Sequence, residues 1–499
     1  MVLTLGSNDG GFLMDQPKKT ASPEAGQQRT SSFNSITLGL IVSVVITAFI
    51  IFAKPISGLS AQGHVMLGAT LLGLSFWIFR PSTLPYFVGG AIILTGALLL
   101  KLPFDVVFKG YTSPAVWVLI PALFYGFALM KTGLGKRIAY AVLKTFQPSY
   151  MGLTFSWFII GLLLSALTPS ITVRIAIVMP IAISLVEACK LPDRSKGAAY
   201  ICFVAFATAL LPGIGWQTGS LWGIFMMGFY PPEIRAIVTP GMWFEYMAFP
   251  WFFITVLFLG LLYFAFKPAE PLQLSREAFK DQYAALGKIT RDEIVTAVIL
   301  TGALILFSTD KWTGIKTPEA ALMGFMALML FGIIKISDIG TGVNWDIINF
   351  FGVVVGLSAM FGKAGVSDWA KPIIEPAVLS MASSPLVFLL LLTLVLWAIR
   401  FIDIPWGFTT FAILSPVFIP LLQKFGLNPV MVSVAFIAAG NSFFLAYQQP
   451  FIMLGDGLTK SRGWTGSQVS TAGLLYAIAI IVGIIVSTFY WKAMGLMPA

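Results

Sequence analysis

Charge, cysteine and histidine are the scarce components of this sequence. Only 10% of the 499 residues are charged, against 58% hydrophobic, and the mean hydropathy is +0.89. That balance leaves too few polar residues to cover a soluble domain, so a water-soluble globular fold is excluded. Two cysteines, Cys189 and Cys202, and one histidine, His64, cannot assemble a zinc site, an iron–sulfur cluster or a disulfide framework. There is no HExxH motif and no pair of intramembrane aspartates, which leaves an intramembrane enzyme without a catalytic constellation. His64 stands at the start of an apolar span, where an interfacial histidine is ordinary, and is given no role.

What is present is a series of uncharged runs of roughly 20 residues, the length that crosses a hydrocarbon core of about 30 Å. Membrane elements are expected near 36–53, 62–79, 84–100, 113–130, 151–186, 197–229, 240–266, 294–309, 317–334, 345–362, 385–423, 427–455 and 466–491. Residues 1–34 are polar and rich in Ser, Gln, Gly and Pro, and read as a disordered cytoplasmic tail rather than a cleavable signal. The net charge of +10 does not imply a nucleic-acid partner, because the basic residues are scattered among loops instead of forming one stripe. With a cytoplasmic N-terminus, the loops placed inside carry the larger share of Lys and Arg. The positive-inside rule therefore favours a multi-pass protein of the inner (plasma) membrane in that orientation. The charged stretch 267–293 reads as a cytoplasmic linker between two halves.

Three elements are interrupted. Thr168-Pro169-Ser170 splits 151–186, and Asp403-Ile404-Pro405-Trp406-Gly407 splits 385–423, each as expected of a re-entrant helical hairpin. Leu211-Pro212-Gly213-Ile214-Gly215 breaks 197–229. Landmarks also recur roughly 230 residues apart, the mark of an internal repeat. Lys131-Thr132-Gly133-Leu134-Gly135 is echoed by Lys363-Ala364-Gly365-Val366-Ser367, and Val178-Met179-Pro180 by Leu414-Ser415-Pro416. The segment 219–228 is echoed by 446–455. An odd number of crossings separates the copies, so the expected fold is an all-α polytopic membrane protein of about 11 transmembrane helices with two inverted-topology repeats. Unwound backbone at mid-membrane must line a polar cavity, and half-helix N-termini favour anions.

Pro114-Ala115-Val116-Trp117 with the Lys131–Ala139 turn, and Trp345-Asp346 with Lys363–Trp369, are similar to the divalent-anion/sodium symporter family. The resemblance covers most of the chain after residue 35. It implies carriage of di- or tricarboxylates or sulfate by an elevator-like homodimer. Scaffold parts then fall at 35–149 and 294–380, and transport parts at 150–266 and 381–499. The family's hairpin tips carry Ser-Asn-Thr ten residues ahead of a proline. Here the matching triplets are Ser170-Ile171-Thr172 before Pro180 and Trp406-Gly407-Phe408 before Pro416. Ile, Trp and Phe offer no side-chain oxygen to a hard cation. The family's unwound Ser/Thr-Pro-Pro-Asn segments match Gly219–Gly223 and Ala446–Pro450 by position.

Substrate binding is therefore expected of Ser170, Thr172, Arg174, Gly219, Ser220, Gly407, Thr409, Tyr447 and Gln448. Cation binding or coupling is expected of Ser170, Ile171, Gly219, Trp406, Ala446, Arg400 and Asp403. No cofactor is expected, the one metal ion considered is sodium, and Na+ or H+ remains open as coupling ion beside counter-anion exchange. Arg174 lies in an apolar segment, where it either meets an anion, replaces the charge of a missing sodium, or caps a helix end. Arg400 and Asp403, three apart, read as an ion pair or a relay. Asn441 and Ser442 read as interhelical packing groups. The expected function is secondary transport of a small organic anion, with an antiporter or metalloid-anion exporter as the alternative.

Overall fold

The computed structural model describes residues 38–49, 51, 56–79, 84–230, 232–268, 272, 276–382, 384–401, 422 and 427–497. All regular structure among them is helical. The first half holds α1 (Leu38–Phe49), α2 (Ala61–Ile78), α3 (Phe87–Leu99), α4 (Pro114–Lys131), α5 (Leu134–Leu143), α6 (Tyr150–Leu167), α7 (Ile171–Ala188), α8 (Lys196–Leu210), α9 (Leu221–Phe229) and α10 (Pro240–Phe266). A linker helix, α11 (Arg276–Ala284), leads into the second half. There follow α12 (Arg291–Ser308), α13 (Thr317–Leu330), α14 (Trp345–Lys363), α15 (Val366–Ala382), α16 (Pro385–Ile399), α17 (Pro429–Asn441), α18 (Pro450–Leu458) and α19 (Gly466–Ala493). Eight of the described helices are long and apolar enough to cross a membrane.

Hydroxyl side chains start these helices. Ser60, Ser113, Ser149, Ser170, Ser195, Thr239, Thr290 and Thr465 each accept a hydrogen bond from an amide of the first turn. Each thereby satisfies a donor that lipid could not. The glycines of one repeated landmark stop them: Gly133 and Gly365 follow α4 and α14 with φ of 81° and 78°, left-handed backbone that favours glycine. The same turn thus recurs at corresponding places in the two halves.

Residues apolar on every face go to the centre. All of α17 is buried, and so is every residue of α8 after Lys196. Each of these helices is the first part of an interrupted element. Around them the halves interlock. Asp346 at the start of α14 accepts from the Tyr86 and Phe87 amides at 2.6 and 2.7 Å, capping α3. The Tyr125 hydroxyl of α4 donates to the Ala321 carbonyl of α13 at 2.7 Å. Arg137 of α5 meets Glu293 at 2.7 Å and also donates to the linker carbonyls of Leu286, Gly287 and Lys288. Lys131 pairs with Asp338 at 2.5 Å and, with the Lys335 amide, holds that carboxyl below its ordinary pKa.

A second tie joins the end of α7 and the loop after it to the loop after α18. Arg462 donates to Glu187 at 2.5 Å and to Asp193 at 3.0 Å, and these carboxylates raise its pKa. The Arg194 amide returns a bond to the Arg462 carbonyl at 2.8 Å. His64 is 4% exposed, so it is a buried residue of the first turn of α2 rather than an interfacial one.

Candidate functional site

Pro169 cannot continue α6, and the chain reverses over Thr168-Pro169-Ser170 into α7. The Ser170 amide donates to Thr168 Oγ1 at 3.1 Å, and Ser170 Oγ accepts from the Val173 amide at 3.4 Å. The turn between α6 and α7 is therefore tight and self-capped. Beyond α8 the chain runs through a single 3₁₀ turn, Pro212–Gly215, and an irregular stretch before Ser220 caps α9. The two features meet: the Leu221 amide donates to the Pro169 carbonyl at 3.2 Å. The N-terminal ends of α7 and α9 are thus brought together, and both present the positive end of a helix dipole.

Arg174 lies between them, one turn inside α7 and fully buried. Its Nη1 donates to Ser165 Oγ on the opposite hairpin arm and to the Gly219 carbonyl at 3.0 Å. Nε and Nη2 are buried without a hydrogen-bond partner among the described residues. Gly213 makes room for this arrangement, since a Cβ there would collide with Arg174 Nη1, Ser165 Oγ and the Gly219 carbonyl. A guanidinium held by one nitrogen, with two further donors unspent and two helix N-termini beside it, is a site of positive potential. Among the described residues no group of three His, Cys, Asp or Glu side chains could hold a metal ion.

The second break has a different lining. Between α17 and α18 the chain passes through a short 3₁₀ turn, Ala446–Gln448. Arg400, just past α16 and 1% exposed, donates to the Gln448 carbonyl. Gln448 Oε1 accepts from the Phe444 and Leu445 amides at 2.7 and 2.9 Å, and its Nε2 is buried without a partner among the described residues. Gln449 Nε2 donates to the Asn441 carbonyl at 3.0 Å. Asn441 Oδ1 in turn accepts from Trp222 Nε1 of α9 at 3.0 Å, so the two breaks are bonded to each other. Ser442 accepts from Trp397 at 2.7 Å.

Of the residues singled out in the sequence, Ser170, Ile171, Arg174, Gly219 and Ser220 are buried together at the first break, and Gln448 and Arg400 are buried at the second. Thr172, Ala446 and Tyr447 are exposed on the described surface, outside both hydrogen-bonded clusters. Asp403, Trp406, Gly407 and Thr409 lie outside the described residues. Sequence reasoning did not find Ser165, the second anchor of Arg174, nor Trp222 as the partner of Asn441. A serine nine residues before an arginine across a Thr-Pro-Ser turn was the available signal for the first. A cavity of about 440 Å³ opens between α4, α13 and the first break, with Gln217 and Thr218 in its wall.

A family model described as the sodium:sulfate symporter transmembrane region matches residues 34–497. The chain is 25% identical over 356 residues to dicarboxylate transporter 2 of spinach chloroplasts (Spinacia oleracea), covering 68% of this chain and 62% of that protein, so it spans less than two thirds of that relative. It is 21% identical over 496 residues to the putative malate transporter YflS of Bacillus subtilis, covering 92% and 96%. Its fold is similar to the crystal structure of the YdaH transporter of Alcanivorax borkumensis, with a TM-score of 0.50 and 17% identity over 93% of this chain and 98% of that one.

Proposed function

The chain belongs to the sodium:sulfate (divalent-anion/sodium) symporter family, and from that premise we propose that it is a secondary active carrier of a small organic anion in the inner membrane. The family is one of transporters, not enzymes. The observation that carries the reading is Arg174, fully buried, with two donors unspent beside the N-termini of α7 and α9. An unpaired charge there costs several kcal/mol unless a counter-charge arrives. A carboxylate is the ligand that a planar guanidinium fork and helix-end amides recognise together. The names of the spinach and Bacillus relatives, dicarboxylate and malate transporters, support the same chemical class.

The coupling we propose is exchange against a counter-anion. The Gly219 carbonyl, a candidate cation ligand, already accepts from Arg174, and the Gln448 carbonyl accepts from Arg400. A sodium ion at the Gly219 oxygen would stand within a few ångström of a fixed guanidinium, where like charges repel strongly. Arg174 then supplies in the protein the positive charge that a sodium ion would otherwise bring. The scaffold and transport parts are proposed with the boundaries given above, the transport part rising and falling against a dimeric scaffold.

Proteoliposomes test this with radiolabelled succinate or malate outside. Carboxylate preloaded inside should stimulate uptake, and replacing sodium by choline should leave it unchanged. An absolute need for sodium would overturn exchange. Absence of carboxylate uptake under sodium, proton and counter-anion gradients alike would overturn the carrier itself.

A further inference from the structure

A second space in the protein is lined for an anion and lies away from Arg174. It measures about 500 Å³ and sits between the start of α4, the end of α9 and α14. Lys109 and Arg235 stand in its wall with Thr112, Ser113, Tyr230 and Ser358, and none of the described residues lining it is a carboxylate. Arg235 is anchored at one end only. Its Nη2 donates to the Tyr230 carbonyl at 2.9 Å and the Gly228 carbonyl at 3.4 Å, while its Nε is buried without a partner among the described residues. Two cations in one apolar-walled concavity concentrate positive potential there, while the Thr112 and Ser358 hydroxyls in the same wall donate to the Lys109 and Val355 carbonyls. A small oxyanion is the ligand of matching size and charge.

Arg235 also lines the 440 Å³ cavity, whose wall includes Lys316, the carboxylates of Asp310 and Glu319, and Gln217 and Thr218, next to Gly219. Arg235 therefore borders both spaces, and one of them reaches Gln217 and Thr218 beside the first break. We propose that the Lys109–Arg235 cavity is a second anion site, a capture station from which the transported carboxylate moves to the first break. This rests on the carrier reading above for its purpose, though not for its chemistry.

Thr112 is exposed in this cavity, and both native cysteines are buried. Thr112→Cys therefore places a single reactive thiol beside both cations. In the purified protein, a sulfonate-bearing thiosulfonate reagent should label it several-fold faster than a trimethylammonium-bearing one. Succinate should slow the labelling at millimolar concentration, and adding Lys109→Gln and Arg235→Gln should abolish both the preference and the protection. Protection should survive Arg174→Gln, because the station is separate. Inorganic phosphate and chloride at equal ionic strength form the comparison: protection by succinate at lower concentration than either identifies the transported class, whereas equal protection by all three overturns the capture role. Equal labelling rates for the two reagents, or protection lost in Arg174→Gln, would overturn the second site. Transport is not needed for this readout, so failure of the carrier reading in liposomes would leave it standing. In a working carrier, Arg235→Gln should raise KM several-fold with little change in maximal rate.

Discussion

At the scale of single residues, the molecule turns on an arginine that is only partly spent. A surface arginine is solvated whatever its neighbours do, but Arg174 is fully buried and holds Ser165 and Gly219 with one nitrogen alone. Its remaining donors have a function only if something negative comes to them. Arg174→Gln keeps a polar amide and removes the charge. Carboxylate uptake should then fall roughly tenfold or more, the loss expected when about 1.4 kcal/mol of charge-dependent binding disappears. Thermal stability in detergent should hold or rise, since an uncompensated buried charge has been removed. A variant that unfolds instead would make Arg174 a structural cap. Arg174→Lys keeps charge and loses the planar fork, so it should recover only part of the activity.

At the scale of elements, the interruptions matter more than the helices. Proline breaks at Thr168-Pro169-Ser170 and Leu211-Pro212 were legible in the sequence because proline has no amide to donate and glycine next to it has no side chain to hold a turn. The recurring turn was legible for a similar reason: the left-handed backbone at Gly133 and Gly365 admits few other residues. Contacts between elements were not legible. That Trp222 Nε1 meets Asn441 Oδ1, or that the Leu221 amide bonds to the Pro169 carbonyl, depends on how distant helices pack, and no local pattern carries that information. Nor was the pairing of Lys109 with Arg235 in one cavity, since neither stands in a distinctive local motif. The exposure of Thr172 and Tyr447 was likewise hidden, because a polar residue near a break looks the same on either face.

The Trp222–Asn441 bond is where the two breaks are joined, and it yields a test at this scale. Trp222→Phe removes the donor and Asn441→Leu the acceptor, both in a fully buried setting. Interhelical hydrogen bonds in membranes contribute about 1 kcal/mol. Unfolding measured for both single variants and the double variant should therefore show a coupling of about that size, with the double variant less impaired than the sum of the singles. Strict additivity would mean that the two breaks are neighbours without being coupled.

For the whole molecule, the question is which parts move together. The Arg462 clasp with Glu187 and Asp193, and the Trp222–Asn441 bond, both join the 150–266 segment to the 381–499 segment. Asp346 capping α3, and Tyr125 bonded to Ala321, join 35–149 to 294–380. Bonds of these kinds run within the proposed transport and scaffold parts. Between them, by contrast, α4 meets the first hairpin at close-packed small residues: a Cβ at Gly126 would stand 3.0 Å from Val173 Cγ2. Such a surface can slide without breaking charge pairs. If the parts do move as bodies, a disulfide across that surface should stop transport and one inside the transport part should not. Gly126→Cys with Val173→Cys, oxidised, is expected to abolish uptake, with recovery on reduction. Arg194→Cys with Arg462→Cys, whose backbones are joined by the Arg194 amide to the Arg462 carbonyl, should when oxidised leave uptake near the level of its reduced form, because both positions travel together. The reverse pattern, with the hairpin cross-link tolerated and the clasp cross-link fatal, would divide the molecule along a different line and remove the elevator from consideration.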